Sequence, residues 1–298
     1  MLIIDSQVHV WDHDRPERPW GPSFRAAMQR SDSVEARLYS VEPVPADRLL
    51  QAMKETGVDR AVLVSSNVYG FDPSYALAVS KAHPDRFRAI ARLDPTDPHF
   101  DVAAWAKRPE AAGLRVLAMD QAQAHAIIEG AFSGFLAKAE DHSVPVCIYV
   151  PTGSEAVASV AAAFPGLTLV VDHLGLPRPD PHSTDPFATL PELLTLARFP
   201  NVIMKITNLP SHSRETFPFK DVAPVLDRFV AAFGCQRLLW GTDWTRPGNK
   251  VSLAEGLRYI AESPQFSSRE RELMLGLNAQ RVFWRSGVKA SPHGDCPP

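Results

Sequence analysis

Two imidazoles and one carboxylate, His9, His173 and Asp243, each stand at the end of a short apolar run. Ionisable groups at the tips of apolar strands are poor core material and good site material. Taken singly, each has a packing role available: His9 as a hydrogen-bonded structural histidine, His173 as a cap on the following helix, Asp243 as an N-cap before Trp244. Taken together, at one end of one fold, they make a shared functional site the stronger reading. The carboxylate can accept a proton from water. The imidazoles can orient that water, donate to a carbonyl oxygen, or hold a metal that polarises it.

The set works only if a fold brings the three tips together. Apolar runs rich in Val, Ile and Leu fall at 2–8, 61–67, 87–93, 113–118, 144–150, 167–172, 201–206 and 238–241. Stretches of helical periodicity lie between them, at 46–56, 75–82, 102–106, 124–142, 155–164, 191–197 and 223–233, and a last one follows at 268–283. Eight buried-type strands in strict alternation with helices predict a parallel (β/α)8 TIM barrel. The 298 residues suit one such barrel over 1–285, with a polar tail at 286–298 read as disordered. Gly57 and Gly166 are placed just past helix ends, where left-handed backbone is expected. Long connections at 12–45, 174–189, 208–221 and 243–251 should all rise on the C-terminal face and shape a substrate site.

Strand alternation puts Gln7 on the face of His9. It also points Tyr149 and Lys205 into the same mouth. Arg115, ending the fourth strand, has a planar fork suited to a carboxylate; the alternative is an internal salt bridge, with Arg92 and Asp94 nearby as a possible pair of their own. Trp11, Trp20 and Trp244 are candidate aromatic walls, or else ordinary loop packing. The other histidines carry less weight. His83, His125 and His142 lie at helix edges, His182 and His212 are expected to be surface-exposed, His13 and His99 solvated, and His293 in the tail.

The net charge of −3, with no basic block, argues against nucleic acid and anionic membrane partners. No run reaches the length of a membrane span, and no leader pattern opens the chain. Cys147, Cys235 and Cys296 form no disulfide framework, so a reducing, cytoplasmic setting is expected, with Cys147 an inert core thiol. No GxGxxG or GxxxxGK[ST] occurs, which removes the main support for dinucleotide and nucleotide folds.

The motifs Asp5–His9, Asp172-His173-Leu174-Gly175 and Gly241-Thr242-Asp243 resemble the metal-dependent amidohydrolase superfamily. They are closest to its amidohydrolase-related branch of lactonases, dicarboxylate lactone hydrolases and some aromatic-acid decarboxylases. The family motif is Asp-x-His-x-His, and this chain has Gln7 where the first His belongs. The family's bridging Lys on the fifth strand is replaced by Tyr149-Val150-Pro151. The resemblance therefore implies either one weakly held divalent ion, Zn or Mn, on Gln7, His9, His173 and Asp243, or a metal-free site, and not a binuclear centre. It further implies a homodimer, and an acid-binding role for Arg115 through the family's Gly-x-Arg. Three functions follow from it: a hydrolase opening a small carboxylate- or hydroxyl-bearing lactone, with Asp243 activating water; a metal-dependent aromatic-acid decarboxylase; or a non-catalytic binder of a small acid.

Overall fold

A computed structural model describes residues 1–284 apart from positions 31, 95, 96, 98, 152 and 181. The predicted tail, with His293 and Cys296, lies outside the described residues. All eight expected strands form: β1 (Ile4–Val8), β2 (Arg60–Val64), β3 (Phe87–Arg92), β4 (Ala111–Leu117), β5 (Val146–Tyr149), β6 (Leu169–Val171), β7 (Val202–Ile206) and β8 (Leu238–Trp240). They pair in parallel, in sequence order, into one sheet. The seam between β8 and β1 is drawn together by Asp243 N–H donating to Gln7 O at 2.8 Å. Thr242 tightens it, donating from N (3.0 Å) and Oγ1 (2.5 Å) to the Asp5 carboxylate. Gly241 permits this approach. A Cβ there would stand 2.7 Å from Thr207 Cγ2 and 2.8 Å from Ser6 Oγ, closer than atoms pack.

The inner faces of the strands stack in layers. The lower layer is apolar, with Ile4, Val62, Ile90, Cys147, Val170, Ile203 and Leu239, and is sealed from beneath by Ala279, Val282 and Phe283 of the last helix. Cys147 is fully buried, and burial pushes its thiol up to about 11, in keeping with an inert core residue. One step further along the strands the interior turns polar, with Gln7, Asp172 and Lys205 all fully buried. Outside the sheet, a larger apolar cluster fills the space beneath the helices.

Several local expectations need correction. The helix expected over 124–142 is two, Gln121–Ile128 and Ser133–Asp141, broken where Gly130 takes φ 90°. The last helix opens into a wider π turn at Leu273–Leu277, where a Cβ on Gly276 would lie 2.0 Å from the Leu2 carbonyl oxygen. Gly57 does take left-handed backbone, φ 75°. Gly166 does not, since its helix already ends at Ala163; its N–H donates to Glu140 Oε1 at 2.6 Å. A helix at Leu253–Ala261 is additional, and its Ser252/Glu255 capping box was readable in sequence. The first long loop folds short helices at Pro22–Met28 and Val34–Leu38. Among the described residues, no helix is long and apolar enough to cross a membrane.

Candidate active site

His9, His173 and Asp243 meet at the C-terminal mouth, on the wall of a cavity of about 220 Å³. His9 follows β1 directly. Its N–H donates to Thr245 Oγ1 (2.6 Å), and its Nδ1 lies 2.7 Å from the Val64 carbonyl oxygen. A carbonyl only accepts, so Nδ1 carries a proton and Nε2 is turned to Asp243 Oδ1, 3.1 Å away. That contact is an ion pair when Nε2 is protonated too. Asp243 Oδ2 accepts from Asn208 Nδ2 at 3.0 Å. Burial would raise the Asp243 pKa, but the hydrogen bond and charge of His9, with His173 and Arg246, outweigh it and hold the carboxyl well below its ordinary range.

His173 occupies the opposite role. Its Nδ1 lies 2.7 Å from Thr207 Oγ1 and 3.3 Å from Asn208 Nδ2. The amide is oriented by its other bonds: Asn208 Oδ1 accepts from Asn249 Nδ2 (3.2 Å), so Nδ2 is the donor end. Thr207 Oγ1 accepts the His173 backbone N–H at 3.1 Å, leaving its own proton for Nδ1. Nδ1 is therefore an acceptor, and the neutral ring carries its proton on Nε2. Burial pushes the His173 pKa down to about 4, against the pull of Asp243 and Asp172, so the neutral ring persists near pH 7. Tyr149 packs against it edge-on at 5.0 Å, with its hydroxyl bonded to Leu176 O.

Backbone strain accompanies these tips. His173 (φ 55°), Leu174 (57°), Asn208 (62°) and Asp243 (54°) all take left-handed conformations. Non-glycine residues pay about 1–3 kcal/mol each for this, and such strain gathers where geometry serves function.

Beneath the trio, Asp172 is held by two cations: Arg115 Nε at 2.7 Å from Oδ2 and Lys205 Nζ at 2.9 Å from Oδ1. Burial opposes ionisation of Asp172, yet Lys205 and Arg115 keep its pKa below the ordinary value. Arg115 thus makes the internal salt bridge, with Asp172 as its acid, while still lining the cavity. Lys205 does not face the mouth as expected. It is fully buried and donates to Gln7 Oε1 at 2.7 Å. Gln7 is likewise buried and does not line the cavity. None of the three tryptophans lines the cavity either. Trp11 is buried, with Nε1 bonded to Thr245 O, and Trp20 is tied to Asp12 O and packed on Phe24. Trp244 is half-buried against the main core.

His212 also departs from expectation. It lines the cavity, rests on Phe187 at 5.5 Å between ring centroids, and leaves Nδ1 buried without a partner among the described residues. Burial pushes its pKa down to about 4, from the ordinary histidine value of 6.5. The folded state then binds fewer protons than the unfolded state between those values. Stability is full above pH 6.5 and is lost as pH falls toward 4, by about 3 kcal/mol from this ring. His212→Phe should flatten the acid limb of the Tm–pH curve by that amount; parallel curves for the two proteins would contradict the assignment.

Sequence reasoning missed much of the wall. Tyr39 and Glu35 come from the folded first loop, Arg178 from the loop after β6, Asn208 from the tip of β7 and Arg246 from the loop after β8. Of these, only Asn208 carried a usable signal, as a polar residue at a strand end.

A family model described as amidohydrolase matches residues 4–285, and the chain belongs to that family. It is 27% identical over 217 residues to a 4-sulfomuconolactone hydrolase of Hydrogenophaga intermedia, covering 72% of this chain and 69% of the relative. It is 26% identical over 248 residues to an L-fucono-1,5-lactonase of Burkholderia ambifaria, covering 81% and 79%. An amidohydrolase of Burkholderia multivorans, solved with zinc bound, shares the fold at TM-score 0.71 and 20% identity, over 95% of this chain and 99% of that one.

The four-ligand metal set expected from the sequence does not fit the geometry. The Gln7 oxygen is taken by an ammonium, and the amide's other end, Nε2, is a donor with no affinity for a cation. The His173 Nδ1 lone pair is taken by Thr207 and Asn208, which leaves Nε2 protonated. Among the described residues no group of three or more His, Cys, Asp or Glu side chains has the arrangement to hold a metal ion.

Proposed function

We propose that this chain hydrolyses a small lactone carrying at least one acidic group. The observation that carries the acidic group is a set of three guanidinium groups sharing the cavity with the trio: Arg92, Arg178 and Arg246 all line it, and none has an ion-pair partner among the described residues. Two of them are crowded by a neighbouring cation. Burial and Arg115 push the Arg92 pKa down to about 10, and burial and Arg246 lower that of Arg178. Unpaired guanidinium groups in a half-enclosed site are relieved by an anion that binds them bidentately. The two curated relatives support the bond type, since both are named for lactones, and one of those lactones bears a sulfo group.

The chemistry follows from the trio. Asp243, held ionised, takes a proton from water as its oxygen attacks the lactone carbonyl carbon. His173 donates from Nε2 to the oxygen that becomes negative. The tetrahedral intermediate collapses with cleavage of the acyl–oxygen bond, and the departing ring oxygen recovers the proton from Asp243. The product is a hydroxy acid, with one water added. His9 orients the Asp243 carboxylate through the 3.1 Å contact. Decarboxylation by chelation to a metal would call on Gln7, whose side-chain oxygen accepts from Lys205 Nζ at 2.7 Å.

Arg246→Met should raise KM for an acid-bearing lactone by about 10- to 100-fold, as expected for loss of a charge-assisted pair, with kcat changed far less. A neutral sugar lactone should show no such rise. Equal effects on both substrates would remove the anion-binding role.

A further inference from the structure

We infer that Lys205 is the resident cation of this barrel end, and that its ammonium, clamped between Gln7 and Asp172, holds the place a divalent ion would need. This concerns occupancy of the site and stands whatever substrate the enzyme takes.

Three observations lead to it. First, Gln7 stands where the resembling motif has a histidine, and its side chain has turned to a new partner rather than to the cavity. Its Oε1 lies 2.7 Å from Lys205 Nζ. Second, the ammonium is fully buried and lies between two oxygens. It pairs with Asp172 Oδ1 at 2.9 Å and sits above the Phe283 ring at 5.6 Å, with no route to solvent. A buried lysine keeps its charge only when it is paired and hydrogen-bonded, and both conditions are met here. Third, Arg115 fills the other oxygen of Asp172 at 2.7 Å, so this layer already holds two cations for one carboxylate. A divalent ion on Gln7 would enter next to a fixed ammonium that shares its ligand oxygen. Like charges so placed repel strongly away from water.

Gln7 and Lys205 therefore form one device. The amide can accept from an ammonium, whereas an imidazole with a lone pair aimed into the site is a metal ligand. Exchanging Gln7 alone should not create a metal site, because the lysine remains; exchanging both should, with the new imidazole, His9 and Asp243 as ligands and without the protonated His173 Nε2.

The test uses the full chain and needs no substrate. Wild type, Gln7→His and Gln7→His/Lys205→Met are loaded with Zn²⁺, freed of excess metal by gel filtration, and assayed for bound zinc and for a zinc-dependent rise in Tm. Wild type and Gln7→His should retain less than about 0.1 Zn²⁺ per chain with no rise in Tm, and the double variant about one per chain with a higher Tm. Roughly one tightly held Zn²⁺ in wild type, lost in Asp243→Asn, would overturn the inference. So would Gln7→His alone retaining about one Zn²⁺ per chain with a higher Tm, a result that counts even if the double variant fails to fold.

Discussion

Asp243→Asn should lower kcat on an acid-bearing lactone by about 10³-fold, within the range that a positioned general base contributes, while KM stays within a few-fold of wild type. The amide has the shape of the carboxylate and can keep the bond from Asn208 Nδ2, so binding geometry survives. What it lacks is the ability to take a proton from water and return it to the ring oxygen. His9 also loses its 3.1 Å anionic partner. Steady-state kinetics at pH 7 on a single substrate checks this. A variant with undiminished kcat would show that another group activates the water.

The second large effect is on stability. Asp172→Asn should cost about 3–5 kcal/mol, because removing one member of a buried ionic group strands the others. Lys205 is fully buried and Arg115 is 7% exposed, so neither can turn to water when Asp172 loses its charge. In thermal unfolding this corresponds to a fall in Tm of roughly 5–8 °C for a chain of this size. The same substitution on an exposed pair such as Arg258–Glu262, made as Glu262→Gln, should shift Tm by little. A change below about 1 kcal/mol in Asp172→Asn would mean that the two cations find other partners.

The fold was legible because its signal repeats. Eight apolar runs, each followed by a helical stretch or long loop, are hard to arrange in any other way, and the tips His9, His173 and Asp243 converge as that pattern requires. Depth within the barrel was not legible. Alternation says that Gln7 and Lys205 point inward; it does not say in which layer they come to rest, and they lie below the cavity, bonded to each other. The Asp172–Arg115 pair was hidden for the same reason, since 57 residues separate its members and only closure of the barrel unites them. The tryptophans stand beside site residues in sequence, but large indoles at the base of loops bury themselves, and sequence adjacency does not make a wall. Arg178 and Arg246 sit in loops without periodicity, so nothing in the chain foretold that they would face the same cavity as Arg92. Histidine and aspartate are among the non-glycine types enriched in left-handed backbone, yet few of them adopt it, so residue type alone could not mark the turns at His173 and Asp243 that aim those side chains.

The most direct measurement of the central claim is turnover of an acid-bearing lactone in water enriched in ¹⁸O, with the product read by mass spectrometry. Attack of water on the carbonyl at Asp243 places one labelled oxygen in the newly formed carboxylate per turnover in wild type, with label in Asp243→Asn falling to the level of spontaneous opening. Loss of carbon dioxide without incorporation of label, label found in the freed hydroxyl instead, or equal enzymatic labelling in both proteins would contradict the account.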